Sequence, residues 1–537
     1  MTSKFGLITV FLIVLALGLR FHQEYVNANL ISDDTTYLET LKRNRQDLGL
    51  SQCSYTIENN RLVKNCAMLS QWPSGYSLFL TPLYFVTNNL FFTELLSQFL
   101  GILLIFIGMY KTLNLFDISR KNKWLFTLFF GLCSAPFYYS GTTDNLVAGL
   151  YLLSFYLMLK MAVYKNFKLI NFLSVGGLLL TCGLIRYAAL PNFLIAIVFF
   201  FILFLVFRDK KILIGTAGLF LLVATFYYLF FKYFAIDPGR VSFIDKLMTF
   251  DFYWNHLKWF DPFPLKAFFY LDPIAYRLEN TFFVSMYRWF GLLFSIGIMI
   301  IIGSYFFKNS ILSSKWRSNF NNKYFLFFTL GILTFGLIMG VMIIQSLTIP
   351  PENEAFGPTW MPHFWTFVYS TRYWVILIFI IQLAVFVLIS NHDFTGWKQK
   401  VTKALIYISI VYGVIFFSFS AYQFYSPNGN GAGSVWENEK ENIEMYNYIN
   451  SIAESNFKSK ELILISNNER EDILSYSSAV FSKLTINDIL DSGIKLNPNQ
   501  VLMVKMKNNL KPIDFMKMGK LLNKKQFVKN TIYLIEA

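Results

Sequence analysis

Residues 191–207 read PNFLIAIVFFFILFLVF, a stretch without a single charged side chain. It ends at the polar tetrapeptide RDKK, and stretches of the same kind recur along the chain to about residue 422. A bilayer core about 30 Å thick requires about 20 apolar residues for each helix that crosses it. The stretch therefore predicts a membrane-spanning helix, and its recurrence predicts a polytopic α-helical membrane protein.

The composition of the whole chain supports this class. Of 537 residues, 55% are hydrophobic and 15% are charged, and the mean hydropathy is +0.45. Soluble globular proteins carry about 25% charged residues. The net charge of +15 does not indicate nucleic-acid binding, because Lys and Arg lie mostly in short loops and no RNP-like motif is present.

We predict eleven spans, with the N-terminus in the cytoplasm. Residues 1–19 begin like a signal peptide, but Arg20 stands where a small-residue cleavage site would be expected, so we interpret them as a retained first helix. The predicted spans are 5–20, 93–111, 124–140, 145–163, 169–187, 191–207, 212–234, 285–307, 324–347, 373–390 and 403–422.

The distribution of charge in the loops predicts the orientation. The five loops predicted to be cytoplasmic carry 17 Lys and Arg against three Asp. Cytoplasmic loops are enriched in Lys and Arg. Because the number of spans is odd, the C-terminus is then extracytoplasmic, as expected for a multi-pass protein of the inner (plasma) membrane.

Two domains are predicted, a membrane domain over residues 1–425 and a soluble extracytoplasmic α/β domain over 426–537. The second begins with the linker SPNGNGAGS. The stretch ENEKENIEMYNYINSIAES predicts an amphipathic helix, and ELILIS, QVLMVKM and NTIYLIEA predict short buried strands.

Two outer loops are long. The first, 21–92, contains the apolar stretch 76–92, which Pro82 interrupts. A twelfth span there would invert every later loop, so a helix lying on the membrane or re-entering it is favoured. The second, 235–284, is rich in aromatic residues, which favours a position along the headgroup layer.

The four cysteines fall into two pairs. Cys133 and Cys182 lie within predicted spans and are interpreted as apolar side chains. Cys53 and Cys66 share the first outer loop, where an oxidising compartment favours a disulfide between them; the alternative is two free thiols.

An acidic pair, Asp33 and Asp34, follows the first span, with Tyr37 next along the chain. Such a pair can act as a general base for an acceptor hydroxyl or amine, or as a ligand for a hard cation. The alternative is a helix N-cap, since acidic residues stabilise the start of a helix.

Three charged residues, Asp144, Arg186 and Arg372, lie at the outer ends of predicted spans. An Arg beside a Tyr at a headgroup surface can bind phosphate through its two-pronged guanidinium. The alternative for each is a side chain that anchors its helix at the interface.

Weaker candidates lie in the outer loops. Arg240 and Lys258 in the aromatic loop could contact lipid phosphate, and His363 could be a ligand or proton carrier, although a lone His is more often simply hydrogen-bonded. No Gly-rich phosphate-binding loop is present, so a nucleotide-sugar donor is not supported.

The ordered set of outer motifs resembles the GT-C fold glycosyltransferases, the superfamily of protein O-mannosyltransferases and lipid A aminoarabinose transferases. The acidic pair with its Tyr is similar to the D-[DE]-x-x-Y element of that superfamily. The other similar stretches, in the same order and within residues 1–390, are QWPSGYSLFLTPLYF, PFYYSGTTDNL, LIRYAALP and STRYWVILIF.

The resemblance implies an enzyme of cell-envelope glycan biosynthesis. It would transfer a sugar, with inversion, from a polyprenyl-phosphate-linked donor to a glycan, lipid or protein acceptor at the outer face of the membrane. Asp33 would be the base, Asp34 and Asp144 supporting carboxylates, and Arg186 and Arg372 phosphate binders. Tyr37, Tyr187 and Tyr373 would complete the motifs.

The sequence departs from the family pattern at Asp34, where that pattern often has Glu. This leaves open which carboxylate is the base and whether Asp33 or Asp34 binds a divalent metal; no cofactor is certain. Two other classes remain. A transporter or flippase of lipid-linked saccharide predicts charges in mid-helix and repeated helix units, and a membrane-anchored binding protein leaves the clustered outer charges unexplained.

Overall fold

A computed structural model describes the following residues of the chain: 2–26, 40–41, 51–68, 75–88, 90–133, 142–186, 189, 192–233, 267–268, 316–348, 371–390, 396–425, 444–445, 447–449, 451–452, 460–466, 480–481, 495–508, 520–527 and 530–536. They belong to two compact units. Unit 1 comprises Met1–Asn27 and Ser97–Ser420, and unit 2 comprises Ala28–Leu96 and Ala421–Ala537.

Long apolar helices account for most of the described residues of unit 1. The helices of the described chain are α1 (Thr2–Val26), α2 (Gly75–Thr87), α3 (Leu90–Asn114), α4 (Arg120–Leu132), α5 (Thr142–Tyr164), α6 (Leu169–Ile185), α7 (Asn192–Phe207), α8 (Lys210–Tyr233), α9 (Trp316–Asn319), α10 (Lys323–Thr348), α11 (Thr371–Leu388) and α12 (Trp397–Tyr425).

Ten of the eleven predicted spans overlap a described helix, and the eleventh, 285–307, lies outside the described residues. The predicted span 124–140 is described only as far as residue 133, and its helix α4 has 13 residues. By length and composition, α3, α5, α10 and α12 each contain a segment long and apolar enough to cross a membrane. The described helix α2 has 13 residues and contains Pro82, and at about 1.5 Å per residue this length is less than the thickness of a bilayer core. Whether 76–92 crosses the membrane stays a prediction. The full count of eleven remains a prediction.

Large apolar side chains point outward from several helices. Leu7 of α1, Phe220 of α8 and Ile408 of α12 expose 73%, 58% and 58% of their surface. Such outward apolar faces are unfavourable in water and favourable in lipid. Together with the long apolar helices, they define a helical membrane protein.

Loops predicted to lie on the same side of the membrane contact each other within unit 1. Lys323, at the start of α10, pairs with Asp117 between α3 and α4. Through that hydrogen bond and its positive charge, Lys323 lowers the pKa of the Asp117 carboxyl. Lys165 lies over the ring of Phe207, 5.2 Å from its centroid. Each contact joins two loops that the charge pattern assigns to the cytoplasm.

Helices α3 and α5 pack at very short range because glycines face the neighbouring backbone. A Cβ atom added to Gly101 would lie 2.8 Å from the carbonyl carbon of Asn145, and one added to Gly108 would lie 2.9 Å from that of Leu152. Small residues allow this approach in membrane proteins. Gly108 follows Gly101 by seven residues in α3, and Leu152 follows Asn145 by seven residues in α5. The two helices therefore run parallel.

Two described residues of the second outer loop are buried in unit 1. Ala267 is fully buried, and its carbonyl accepts a hydrogen bond of 2.7 Å from Nε2 of Gln382 in α11. Phe268 is 7% exposed, and its ring is tilted against that of Phe129 in α4, with the centroids 6.2 Å apart. The sequence predicts an interfacial position for this loop. The Gln382 amide takes the backbone carbonyl of Ala267 as its partner, and the position of the loop relative to the membrane stays a prediction.

Unit 2 contains a hairpin and a five-stranded sheet. The hairpin pairs β1 (Ser51–Glu58) with β2 (Arg61–Met68). The sheet has the order β4-β3-β5-β7-β6, with β3 parallel to β4 and β5 and with β7 antiparallel to β5 and β6. Its strands are β3 (Glu461–Ser466), β4 (Val480–Phe481), β5 (Gln500–Lys507), β6 (Lys520–Gln526) and β7 (Asn530–Glu536).

The central strands of this sheet are buried on both faces. On one face, Leu464 and Met503 pack with Met445 and Ile449 of the helical segment that the sequence predicts. On the other face, Ile463 and Leu502 belong to a cluster that includes Tyr55 and Leu62 of the hairpin. Burial on both faces explains why ELILIS and QVLMVKM are nearly continuous apolar runs.

Polar contacts hold the hairpin to the sheet. Lys64 of β2 forms a salt bridge with Glu461 of β3. The backbone N–H of Lys495 donates to the carbonyl of Asn60 at 2.9 Å, and Nε2 of Gln500 donates to the carbonyl of Leu62 at 3.4 Å. Residues 51–68 and 460–536 therefore share one hydrophobic core and must lie on the same side of the membrane.

The hairpin register supports the proposed disulfide. Asn59 and Asn60 both have positive φ, 50° and 59°, as the two central residues of a tight type I′ turn require. From this turn the pairing runs to Cys53 opposite Cys66. Directly opposite residues of antiparallel strands have Cα atoms about 4.5–5.5 Å apart, within the range that a disulfide spans.

We expect Cys53 and Cys66 to be oxidised in the protein isolated from membranes. Alkylation before and after reduction, followed by peptide mass analysis, should show both thiols protected until reductant is added. The buried Cys182 is the control, because it is a free thiol and should give the same mass with or without reductant under denaturing conditions. Two alkylated loop cysteines in the unreduced sample would contradict the disulfide.

The shared core also predicts a labelling pattern. In a Cys53→Ser/Cys66→Ser background, a cysteine at the exposed position Asn60 in the hairpin turn and one at exposed Lys524 in β6 should both react with a membrane-impermeant maleimide added outside intact cells. A cysteine at exposed Lys165, between α5 and α6, should react only after the cells are opened. Opposite labelling of Asn60→Cys and Lys524→Cys would contradict a common core.

Candidate functional site

Asp144 and Arg186 lie at adjacent ends of two neighbouring helices, the ends predicted to be outer. Asp144 is in the first turn of α5, where the helix dipole favours a negative charge. Arg186 caps α6 in an extended conformation, with its backbone N–H bonded to the carbonyl of Cys182 at 2.9 Å. Sγ of Cys182 in turn lies 3.6 Å from the carbonyl oxygen of Val147. The end of α6 is thereby held beside the start of α5.

The two side chains form an ion pair inside unit 1. Nη1 of Arg186 contacts Oδ1 of Asp144, and the side chains are only 14% and 2% exposed. A buried charge is tolerated only when it is paired and hydrogen-bonded. The structure thus brings together Asp144 and Arg186, two of the predicted site residues, as an ion pair.

Further polar residues are buried toward the same ends of α3 and α5. Asn145 is fully buried, and Thr143 and Ser97 are almost completely so. Gln98 of α3 is 5% exposed and precedes Gly101, the residue that packs against Asn145, by one helical turn. We call the following set the outer polar cluster: Ser97, Gln98, Thr143, Asp144, Asn145 and Arg186.

Two amides of this cluster retain unused hydrogen-bonding atoms. Among the residues that the structure describes, neither Oδ1 nor Nδ2 of Asn145 has a hydrogen-bond partner, and Oε1 of Gln98 has none. Buried side-chain polar atoms are normally bonded to protein or water. The cluster can therefore accept and donate further hydrogen bonds to a molecule that enters it.

Most other predicted site residues lie outside the described residues. The backbone of Arg372 and Tyr373 lies in the first turn of α11. The predicted residues outside the description are Asp33, Asp34, Tyr37, Tyr187, Arg240, Lys258 and His363. A divalent metal on Asp33 or Asp34 likewise remains a prediction.

Sequence reasoning did not single out Asn145, Gln98 or Arg20. Arg20 is fully buried near the end of α1, and its Nε donates to the carbonyl of Phe130 at 2.8 Å. The sequence did contain a signal for these three residues, because a polar side chain inside an otherwise apolar membrane helix marks a functional or packing site. Asn145 was overlooked because it directly follows the more conspicuous Asp144.

Comparisons with known proteins find matches among solved structures. No family model matches the chain, and no curated protein matches it. Among solved structures, the chain is similar to the apo form of the oligosaccharyltransferase of Archaeoglobus fulgidus, with 10% identity and a TM-score of 0.40, over 94% of this chain and 69% of that one. A similarity at this level does not support transfer of a function to this chain.

Proposed function

We propose that this protein is an inverting glycosyltransferase that uses a polyprenyl-phosphate-linked sugar at the outer face of the plasma membrane. The observation that carries the proposal is the buried Asp144–Arg186 pair, set among buried amides at one end of an apolar helix bundle. Ionisable residues within membrane helices are costly and usually serve function. A polar site at the outer ends of apolar helices suits a substrate with a hydrophobic tail and a polar head group.

The distribution of charge favours a transferase over a transporter. In the described spans, acidic and basic residues lie toward helix ends; Arg20, Asp144 and Arg186 are at ends predicted to be outer. A transporter needs polar or charged groups near the bilayer midplane, where discontinuous helices meet. A site at the outer ends of helices instead meets both the donor in the bilayer and an acceptor outside it.

The proposed reaction is a displacement at the anomeric carbon of the sugar. A bond forms between the acceptor oxygen or nitrogen and this carbon, and the bond from the carbon to the phosphate oxygen breaks. Polyprenyl phosphate leaves with the electron pair, and Asp33 takes the proton of the acceptor. Arg372 stabilises the charge that develops on the leaving phosphate, because guanidinium binds phosphate through two N–H groups.

Asp144 and Arg186 are proposed to support this chemistry together. Asp144 holds the Arg186 guanidinium in place, and a guanidinium has five N–H donors, so a carboxylate and a phosphate can both be bound. Asp34 supports Asp33 or holds a divalent metal with it, and Tyr37, Tyr187 and Tyr373 line the polar headgroup region. Arg240 and Lys258 are weaker candidates for contacts with lipid phosphate, and His363 is a weaker candidate for a ligand or proton carrier.

The function is tested with purified protein in liposomes that contain a polyprenyl-phosphate sugar labelled in the sugar. Membrane extract supplies glycan, lipid and protein acceptors. We expect label to move to an acceptor while an equal amount of unglycosylated polyprenyl phosphate appears. Movement of intact labelled lipid between leaflets, without bond cleavage, would instead establish the flippase and overturn the transferase.

A further inference from the structure

We infer that Asn145 and Gln98 form a subsite that binds the hydroxyl groups of the donor sugar, beside the Asp144–Arg186 pair. This inference rests on the proposed function and extends it to the part of the substrate that is recognised. Its physical basis is the set of buried amide atoms without a partner among the described residues, Oδ1 and Nδ2 of Asn145 and Oε1 of Gln98.

The packing of α3 on α5 places the two amides close together. Gly101 lies against the backbone of Asn145, so these two residues are at the same level of the parallel helices. Gln98 precedes Gly101 by three residues, which is about 4.5 Å along the helix axis toward the outer end. The two amide groups therefore lie within about one helical turn of each other.

The chemistry of the amide suits a sugar. An Asn side chain offers one acceptor and two donor hydrogens, and Gln98 adds a carbonyl acceptor. Each sugar hydroxyl both donates and accepts one or more hydrogen bonds, so neighbouring hydroxyls on a ring complement an amide. Asn145 is fully buried, so an unoccupied amide is costly there and a bound hydroxyl is correspondingly favourable.

The charges nearby favour an uncharged group over a phosphate at this position. Asp144 precedes Asn145 directly, and its carboxylate is paired with Arg186, so the net charge of the neighbourhood is close to zero. A phosphate seated on the amides would meet that carboxylate at short range. Neutral hydroxyl groups meet no such repulsion, and the donor's phosphate is then bound beside the amides, by Arg186 and Arg372 as proposed above, rather than on them.

Direct binding of lipids with and without a sugar tests the subsite without reference to turnover. The probes are bare polyprenyl phosphate and polyprenyl-phosphate mannose, glucose and galactose, each titrated into the purified protein in detergent. We expect the wild type to bind at least one hexosyl lipid about tenfold or more tightly than bare polyprenyl phosphate. Asn145→Leu, which has nearly the same shape, should lose this preference and retain affinity for the bare lipid.

Thermal stability separates a sugar site from a site that merely holds buried water. Asn145→Leu removes buried polar atoms, so its melting temperature should be unchanged or raised. Gln382→Leu is the matched control; it removes a buried amide that does have a partner, the carbonyl of Ala267, and should lower the melting temperature. If Asn145→Leu fails to fold, Gln98→Leu is titrated in its place, with the same expected loss of preference.

The outcomes separate this inference from the proposed function. A folded Asn145→Leu protein that keeps the full preference for the hexosyl lipid overturns the subsite, and normal transfer by that variant would leave the glycosyltransferase intact. A wild type that prefers the hexosyl lipid but never cleaves it supports the subsite while the transferase fails. A wild type that binds every hexosyl lipid no better than the bare lipid overturns the subsite.

Discussion

Replacement of Asp33 by Asn is expected to abolish sugar transfer while the protein still folds. Asn can cap a helix as Asp does and has nearly the same shape, so little stability should be lost if the pair begins a helix. The amide cannot accept a proton at neutral pH, so loss of the base should cost about 10²–10⁴-fold in rate. The measurement is transfer from the radiolabelled donor, normalised to folded protein.

Asp34→Asn is the control for Asp33→Asn, since it removes the neighbouring carboxylate and should reduce the rate less. If Asp34→Asn is inactive and Asp33→Asn is active, the role of base moves by one residue. Full activity of both variants would reduce the acidic pair to a helix cap and would remove the chemical centre of the proposed function.

Replacement of Asp144 by Leu is expected to have the largest effect on stability. It leaves the guanidinium of Arg186, only 14% exposed, without the carboxylate that it contacts. Removing one partner of a buried pair costs about 3–5 kcal/mol. The double variant Asp144→Leu/Arg186→Met removes both charges and should recover most of this loss. Thermal unfolding of the three proteins in the same detergent measures both effects.

The exposed pair Asp117–Lys323 supplies the matched control for this cycle. The Asp117 side chain is 85% exposed, and exposed salt bridges contribute about 0–1 kcal/mol. Asp117→Ala should therefore leave the unfolding temperature almost unchanged. An Asp144→Leu variant as stable as Asp117→Ala would contradict the large cost expected for an unpaired, buried Arg186. A stable double variant that transfers sugar normally would show that the Asp144–Arg186 pair serves structure alone.

The local sequence pattern predicted the helices of unit 1 well because a bilayer permits few backbone conformations. Backbone polar groups inside a bilayer must be satisfied within the segment, so an apolar run of sufficient length becomes a helix. Residues 191–207 and the helix Asn192–Phe207 agree to within one residue. The hairpin was not predicted, although alternating residues around Asn59-Asn60 are a hairpin signal, because its strands contain no long apolar run of the kind that indicates the helices.

Strand β6 was missed for a different reason. Its residues, KLLNKKQ, are all exposed, so they show no alternation between a buried and a solvent face. Lysines are common on edge strands, where they discourage pairing with another chain. The strand forms because β7 supplies its hydrogen-bond partners, a tertiary fact that the heptapeptide itself does not encode.

By itself the sequence determined the membrane class, the positions of most helices and the two buried central strands, because each depends on the length or spacing of apolar residues along a local segment. The tertiary structure alone decided that Tyr55 and Leu62 cover one face of the C-terminal sheet, and that Asp144 and Arg186 neutralise each other. Both depend on which distant surfaces fit together. An apolar side chain can pack against any complementary apolar surface, and a charged side chain can pair with any opposite charge within reach. The local sequence pattern therefore does not specify which distant residue each side chain contacts.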